Sequence, residues 1–236
     1  MKNKQLQRKK AVLNWSGGKD SALALQKVLE EEVYEVVALL TVFREQDQTS
    51  SMHTVPFELM EKQAKSIGIE LYPVFVNDEP GDYELKMEQA TLHFKEKGVR
   101  HFIFGDLYIE GVRTYRESKL NPLGIEVVEP LWGNTPEQIL NDVFNAGIKA
   151  KIITVQADKL SMDYIGKDLN PKLIEEFPEC IDLCGENGEY HTFVYEGGFF
   201  KEKIEFKIEK IEKNSFDIRL DTGEVITQTY GQALLK

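Results

Sequence analysis

The fold turns on AVLNWSGGKDSALAL, residues 11–25. Ala11-Val12-Leu13 is a short apolar run bounded by a basic tail and a glycine pair, the pattern of a buried strand. From Asp20 to Glu32, residues Ala22, Leu23, Leu25, Val28 and Leu29 fall at helical spacing. A strand that runs through glycines into a helix brings unpaired backbone N–H groups to the positive end of a helix dipole. Gly17 and Gly18 let an anion approach the backbone closely. Ser16 and Ser21 add hydroxyl donors, and Lys19 adds a full positive charge. Asp20 repels phosphate unless Mg²⁺ lies between them, and Mg²⁺ takes one or two carboxylates together with phosphate oxygens. A glycine pair alone is a tight turn, and a lone Ser or Asp is a helix cap. The whole string SGGKDS between strand and helix reads instead as a phosphate site. Neither GxxxxGK[ST] nor GxGxxG occurs in the chain, so it is a different loop from those two nucleotide-binding types.

The alternation continues outward from this loop. Val33–Val42 reads as a second strand, followed by the polar stretch FREQDQTSS, which has no periodicity and reads as a mobile loop. Thr54 is placed to cap a helix with Pro56 in its first turn, and Gly68 ends it. A strand over Ile69–Val76, a helix over Asp82–Lys97 ended by Gly98, and a strand over Val99–Phe104 follow. A helix near Glu110–Lys119 and a strand over Val127–Leu131 complete the series. The predicted class is α/β, a parallel sheet with helices on both faces. Such sheets bind ligands beyond the carboxyl ends of their strands, which places Ser16, Thr41 and Asp106 near one crevice.

Near Trp132 the texture changes, and two domains are expected, 1–131 and 132–236. Thr135-Pro136-Glu137-Gln138 is a capping box with proline at the first helical position, opening a helix to about Ala146. A strand at Lys151–Val155 and a helix around Pro171–Phe177 precede PECIDLCGENGEYHTFVYEGG. From Phe200 apolar and polar residues alternate, with Asp221-Thr222-Gly223 as a turn, so the tail reads as antiparallel strands. The second part is therefore a smaller α+β domain with a β-rich end. A strand-rich edge is a place for a homo-oligomer to pair.

Composition narrows the setting. Net charge is −11, which disfavours broad adhesion to nucleic acid or anionic membranes. The basic N-terminus lacks the apolar segment of a signal peptide, and no run reaches the length needed to span a bilayer. Two cysteines in 236 residues fit a reducing compartment, so a cytoplasmic protein is expected. Cys180 and Cys184 have three residues between them and no second pair, which gives weak support to a metal site.

SGGKDS resembles the signature of the N-type ATP pyrophosphatases, or PP-loop enzymes, of the HUP-type, adenine nucleotide alpha hydrolase-like fold. The resemblance implies that the loop holds the pyrophosphate of ATP while an acceptor oxygen attacks the α-phosphorus. An amine or sulfur nucleophile then displaces AMP. Neutralising the leaving pyrophosphate is work for Lys19, the backbone N–H groups and Mg²⁺. Three further stretches, Met52-His53 with the helix after it, FGDLYIEGVRTYRE (104–117) and CGENGEYHTFVYEGG (184–198), are similar to the diphthine–ammonia ligase family. The match covers about residues 10–200. In that family the carboxylate of diphthine, a modified histidine on elongation factor 2, is activated and ammonia attacks it. The family's last motif reads like CGEGGEYET, whereas here Asn187 and His191 stand in place of a glycine and a glutamate. These departures resemble a bacterial-type subgroup, and bacteria do not carry diphthamide. The ATP chemistry therefore carries over, and the carboxylate acceptor, small-molecule or protein-bound, stays open.

Roles for single residues follow. Lys19, Asp20 and His191 are the catalytic candidates, with Asp20 also the Mg²⁺ candidate. Ser16, Gly17, Gly18, Lys19, Asp20, Ser21, Thr41, His53, Gly105 and Asp106 are expected around ATP. Arg113 and Arg116, one helical face apart by three, can clamp an anion, or else form a solvated face with Arg113 paired to Glu117. Glu186, Asn187, Glu189 and His191 are expected to line the acceptor pocket, His191 as base or proton shuttle with an ordinary pKa of about 6.5. His93 and His101 read as surface or packing residues. Two other functions compete. A tRNA-thiolating enzyme needs Cys184, and a nucleotide sensor binds ATP without releasing pyrophosphate. No glutamine-hydrolysing module is visible, so ammonia or an amine comes from solution or another protein.

Overall fold

A computed structural model of the protein describes residues 8–51, 53–219 and 225–236. Met52 and the turn expected at Asp221-Thr222-Gly223 lie outside the described residues. Five parallel strands form the first sheet: β1 (Lys9–Asn14), β2 (Tyr34–Arg44), β3 (Leu71–Val76), β4 (His101–Ile103) and β5 (Glu126–Val128), in the order β3-β2-β1-β4-β5. The direction of the crossovers reverses between β1 and β4, so the crevice beyond these two strands is the expected ligand position. Ala11, Val12 and Leu13 have no exposed surface, because helices cover both faces of the central strand. Helices α1 (Lys19–Glu31) and α2 (Phe57–Ile67) pack on one face with Leu13, Phe43 and Ile103. Helix α3 (Asp82–Glu96) and the end of α4 (Glu110–Leu120) cover the other, against Val12, Leu40 and Phe102.

After β5, helix α5 (Pro136–Asn145) starts with the predicted capping box, both hydrogen bonds between Thr135 and Gln138 being formed. Strand β6 (Lys149–Gln156), short helix α6 (Pro171–Glu175) and strands β7 (Tyr190–Glu196), β8 (Ile208–Arg219) and β9 (Val225–Leu235) follow. The four strands form an antiparallel sheet in the order β7-β6-β9-β8. One apolar core runs unbroken from Leu13, Leu23 and Met60 to Ile139, Ile152 and Phe193, so the second sheet is packed against the α1–α2 face of the first.

Three local expectations are corrected. Thr54 does not cap α2: it takes a left-handed backbone conformation (φ 54°) and its hydroxyl donates to the His53 carbonyl, while Pro56 leads into the helix. The stretch after Phe43 is an ordered turn, because Arg44 pairs with Asp47 and bonds Thr49, and the backbone closes on Val55 through Ser50. The last parallel strand stops at Val128, and Leu131 is buried outside it. Among the described residues, no helix is long and apolar enough to cross a membrane.

Candidate nucleotide and acceptor site

SGGKDS lies where β1 passes into α1, at the switch point. Gly17, Gly18, Lys19 and Ser21 are buried, and Ser16 and Asp20 are half-buried. Gly17 has φ 76°, a left-handed conformation that suits glycine, and an added Cβ would come within 2.8 Å of the Met60 sulfur. The Ser16 hydroxyl accepts from the Gly18 N–H (3.2 Å) and lies 3.0 Å from the Ser21 hydroxyl. The loop is thus folded around its own serines, with the first turn of α1 beneath it.

Two other segments close over it. The β4–α4 loop approaches through Gly105, where a Cβ would sit 2.8 Å from both the Asp20 carbonyl carbon and the Ser21 nitrogen. These are backbone atoms of α1 and cannot give way singly. Gly105→Ala is expected to lower stability by about 2 kcal/mol through overpacking, and to weaken ATP binding with it. Thermal unfolding with and without ATP checks both. The segment from Asp182 to Thr192 closes the other side. Lys19 Nζ donates to the Cys184 carbonyl, the Lys19 N–H donates to Thr192 Oγ1 (3.0 Å), and the Leu107 N–H donates to Glu186 (3.2 Å). Tyr108 donates its hydroxyl to Asp182.

Lys19 is only 2% exposed. Its ammonium lies 3.0 and 2.8 Å from the two Asp20 oxygens and 5.3 Å from the Tyr190 ring centroid. Burial opposes the charge, but Asp20, Tyr190 and Cys184 outweigh it and hold the lysine above its ordinary pKa, fully charged. Glu186 is pushed up to about 7, first by burial and then by Asp20. His191 is pushed down to about 4 by burial and the Lys19 charge. His53 meets it edge-on with centroids 4.4 Å apart, and burial, His191 and Lys19 lower it well below the usual range. The pair therefore presents two neutral rings beside the lysine.

The remaining predicted residues divide. Thr41 is buried and donates its hydroxyl to the Trp15 carbonyl (2.6 Å), so it holds the strand end rather than facing the crevice. Asp106 is engaged by Arg116, whose guanidinium also lies 3.9 Å over the Phe104 ring. Arg113 bonds Glu117 and Glu129 and lies 4.8 Å over the Trp132 ring. The two arginines therefore form a carboxylate network, not a free clamp. Glu189 pairs with Lys159 (3.3 Å), and Asn187 is exposed. His93 stacks on Tyr72, and His101 packs edge-on to Tyr34.

Several participants were not singled out in the sequence. Glu129 has a side chain 3% exposed and one oxygen with no hydrogen-bond partner among the described residues, and burial followed by Asp106 raises it to about 7. It directly follows the fifth strand, and that position was the available signal. Thr192 shares a face of β7 with Tyr190, two residues away, and their alternation pointed toward the loop. Gln63 is wholly buried on the apolar side of α2.

A parallel sheet in this order, with SGGKDS at its switch point, is an α/β nucleotide-binding architecture with a candidate phosphate loop at its ligand position. A family model described as the diphthamide synthase N-terminal domain matches residues 8–127, and one described as the diphthamide synthase C-terminal domain matches residues 135–222. The chain belongs to the diphthamide synthase family. It is 26% identical over 226 residues to the diphthine–ammonia ligase of Bos taurus, covering 86% of this chain and 84% of that one. To the Homo sapiens diphthine–ammonia ligase it is 27% identical over 213 residues, covering 80% and 79%. The Schizosaccharomyces pombe diphthine–ammonia ligase is 28% identical over 228 residues, covering 85% of this chain but 36% of the longer relative.

Proposed function

We propose that this protein adenylates a carboxylate with ATP and passes the acyl group to ammonia or an amine, releasing pyrophosphate and AMP. The observation that carries the reading is the joining of SGGKDS to the Cys184–Thr192 segment through Lys19, so that the phosphate loop and the acceptor candidates lie against one another. In the first step an acceptor oxygen bonds to the α-phosphorus and the bond to pyrophosphate breaks. Lys19 and the α1 N-terminus stabilise the charge that develops on the leaving group. In the second step the nitrogen nucleophile attacks the acyl carbon and AMP departs. Residues 1–131 serve ATP, and residues 132–236 select the acceptor.

Mg²⁺ fits this site only in part. Among the described residues no group of three or more His, Cys, Asp or Glu side chains is arranged to hold a metal, so Asp20 would share the ion with phosphate oxygens and water. When bound, the ion supplies charge neutralisation at the pyrophosphate. Diphthine is the acceptor best supported by the relatives, and ammonia the donor. The assay is incubation with Mg-ATP, ammonium and either diphthine-bearing elongation factor 2 or a small-molecule cell extract, with Lys19→Ala alongside. AMP with pyrophosphate, lost in the variant, is the expected result; ADP would overturn the mechanism.

Thiolation fits the site poorly. The Cys184 thiol donates to the Pro136 carbonyl (3.5 Å) and burial pushes it up to about 12, far from a thiolate at neutral pH. Cys184→Ser is expected to keep AMP-forming turnover, whereas a thiolating enzyme would lose it. A cytoplasmic setting fits two cysteines that are both free.

A further inference from the structure

We infer that Gln63 is a positioning residue that fixes the orientation of a single peptide unit in the phosphate loop. The inference rests on the reading that SGGKDS holds phosphates. Gln63 belongs to α2, outside both groups of candidate residues, and shares its buried side with Leu59, Met60, Ala64 and Ile67. A primary amide at a core position is unfavourable unless its carbonyl and N–H groups are bonded. Here its carbonyl accepts the Trp15 indole N–H (2.9 Å), and its Nε2 donates to the Gly17 carbonyl (3.2 Å) and the Val194 carbonyl (2.5 Å). The Val194 N–H donates to the same Gly17 carbonyl (2.8 Å).

The Gly17 carbonyl and the Gly18 N–H belong to one planar trans peptide and point in opposite directions. Holding that carbonyl toward α2 and β7 therefore turns the Gly18 N–H to the other side, where it meets the Ser16 hydroxyl. Between two glycines this unit meets little steric resistance to a flip, and a flip would aim a carbonyl oxygen where an anion is to bind. Gln63 and Val194 together oppose it. The same amide ties the loop to the second sheet, since Val194 is a β7 residue.

The test uses the full chain and two near-isosteric variants. Gln63→Met removes both donor and acceptor. Gln63→Glu keeps the acceptor for Trp15 and removes the donor to the two carbonyls. Affinity for inorganic pyrophosphate and for ATP is measured by calorimetry, and stability by thermal unfolding. Phe94→Leu, in the core on the opposite face of the sheet, serves as a variant of reduced stability without contact to the loop. Both Gln63 variants are expected to bind pyrophosphate and ATP about tenfold or more weakly, while Phe94→Leu binds as the parent does. Equal affinity in parent and Gln63 variants overturns the inference and leaves the phosphate reading intact. Absence of binding in the parent overturns both. Equal weakening in Phe94→Leu overturns the positioning role in favour of a general loss of stability.

Discussion

Replacing Lys19 by methionine is expected to remove AMP formation and also to lower the unfolding free energy by about 3 kcal/mol. The lysine side chain is 3% exposed and that of Asp20 26%, so the pair is largely withdrawn from water. Removing one member leaves a partly buried carboxylate and the Cys184 carbonyl without their shared donor, with Asp182 close enough to act on the carboxylate. That cost is larger than the worth of the pair, because the survivor is an uncompensated charge. The double variant Lys19→Met with Asp20→Asn removes the stranded charge and should recover much of the stability while staying inactive. Urea unfolding of the three proteins separates the effects. A single variant as stable as its parent would mean that the Lys19–Asp20 pair is absent in solution. A double variant that regained turnover would remove Lys19 from the mechanism.

The Lys19 pair also shows where reading the sequence stops. Strand, glycine pair and helix were legible at residues 11–25 because each obeys a local rule: apolar run, backbone freedom, 3.6-residue spacing. The parallel sheet followed from repetition of that unit, and the capping box at Thr135 from side-chain chemistry within four residues. The partners of the loop obey no local rule. Lys19 meets Cys184 across 165 positions, and Gln63 meets Val194 across 131. The CGENGEYHT segment was legible as chemistry, but which of its residues turn toward the loop depends on the register of β7 against β6. A bulge between Ile152 and Thr154 shifts that register. Thr192 and, from outside the strand, the Cys184 carbonyl reach the loop, while Glu189 pairs with Lys159. Thr54 failed as a cap for a related reason: its propensity was right, but Ser50 and Ser51 are tied to β2, the Thr54 N–H donates to the Ser50 carbonyl and Thr49 pairs with Pro56, which together dictate a different backbone.

Glu186→Gln is expected to make the protein more stable at pH 8 by about 2 kcal/mol and to leave it unchanged near pH 4.5. The folded carboxyl is raised to about 7 from an ordinary 4.5, burial first and Asp20 next. Between those values the folded state binds the proton more readily than the unfolded one. The penalty of the charged form is absent below 4.5, grows as pH rises, and is complete above 7. Glutamine removes it and can still accept the Leu107 N–H. His191 works in the opposite direction. With a folded value near 4, it binds its proton less readily than the unfolded chain between about 4 and 6.5, so stability is lost as pH falls through that window. Of the two, only the carboxyl titrates where an amine is to be deprotonated near neutrality. AMP-coupled amide formation should therefore rise with pH through an apparent value near 7. At a fixed concentration of free ammonia, that rise should persist in His191→Asn and vanish in Glu186→Gln. A parent profile that rises near 4 and is flattened by His191→Asn would return the role of base to the histidine. A stabilised but fully active Glu186→Gln would make the carboxylate a binding residue and leave proton removal to solvent.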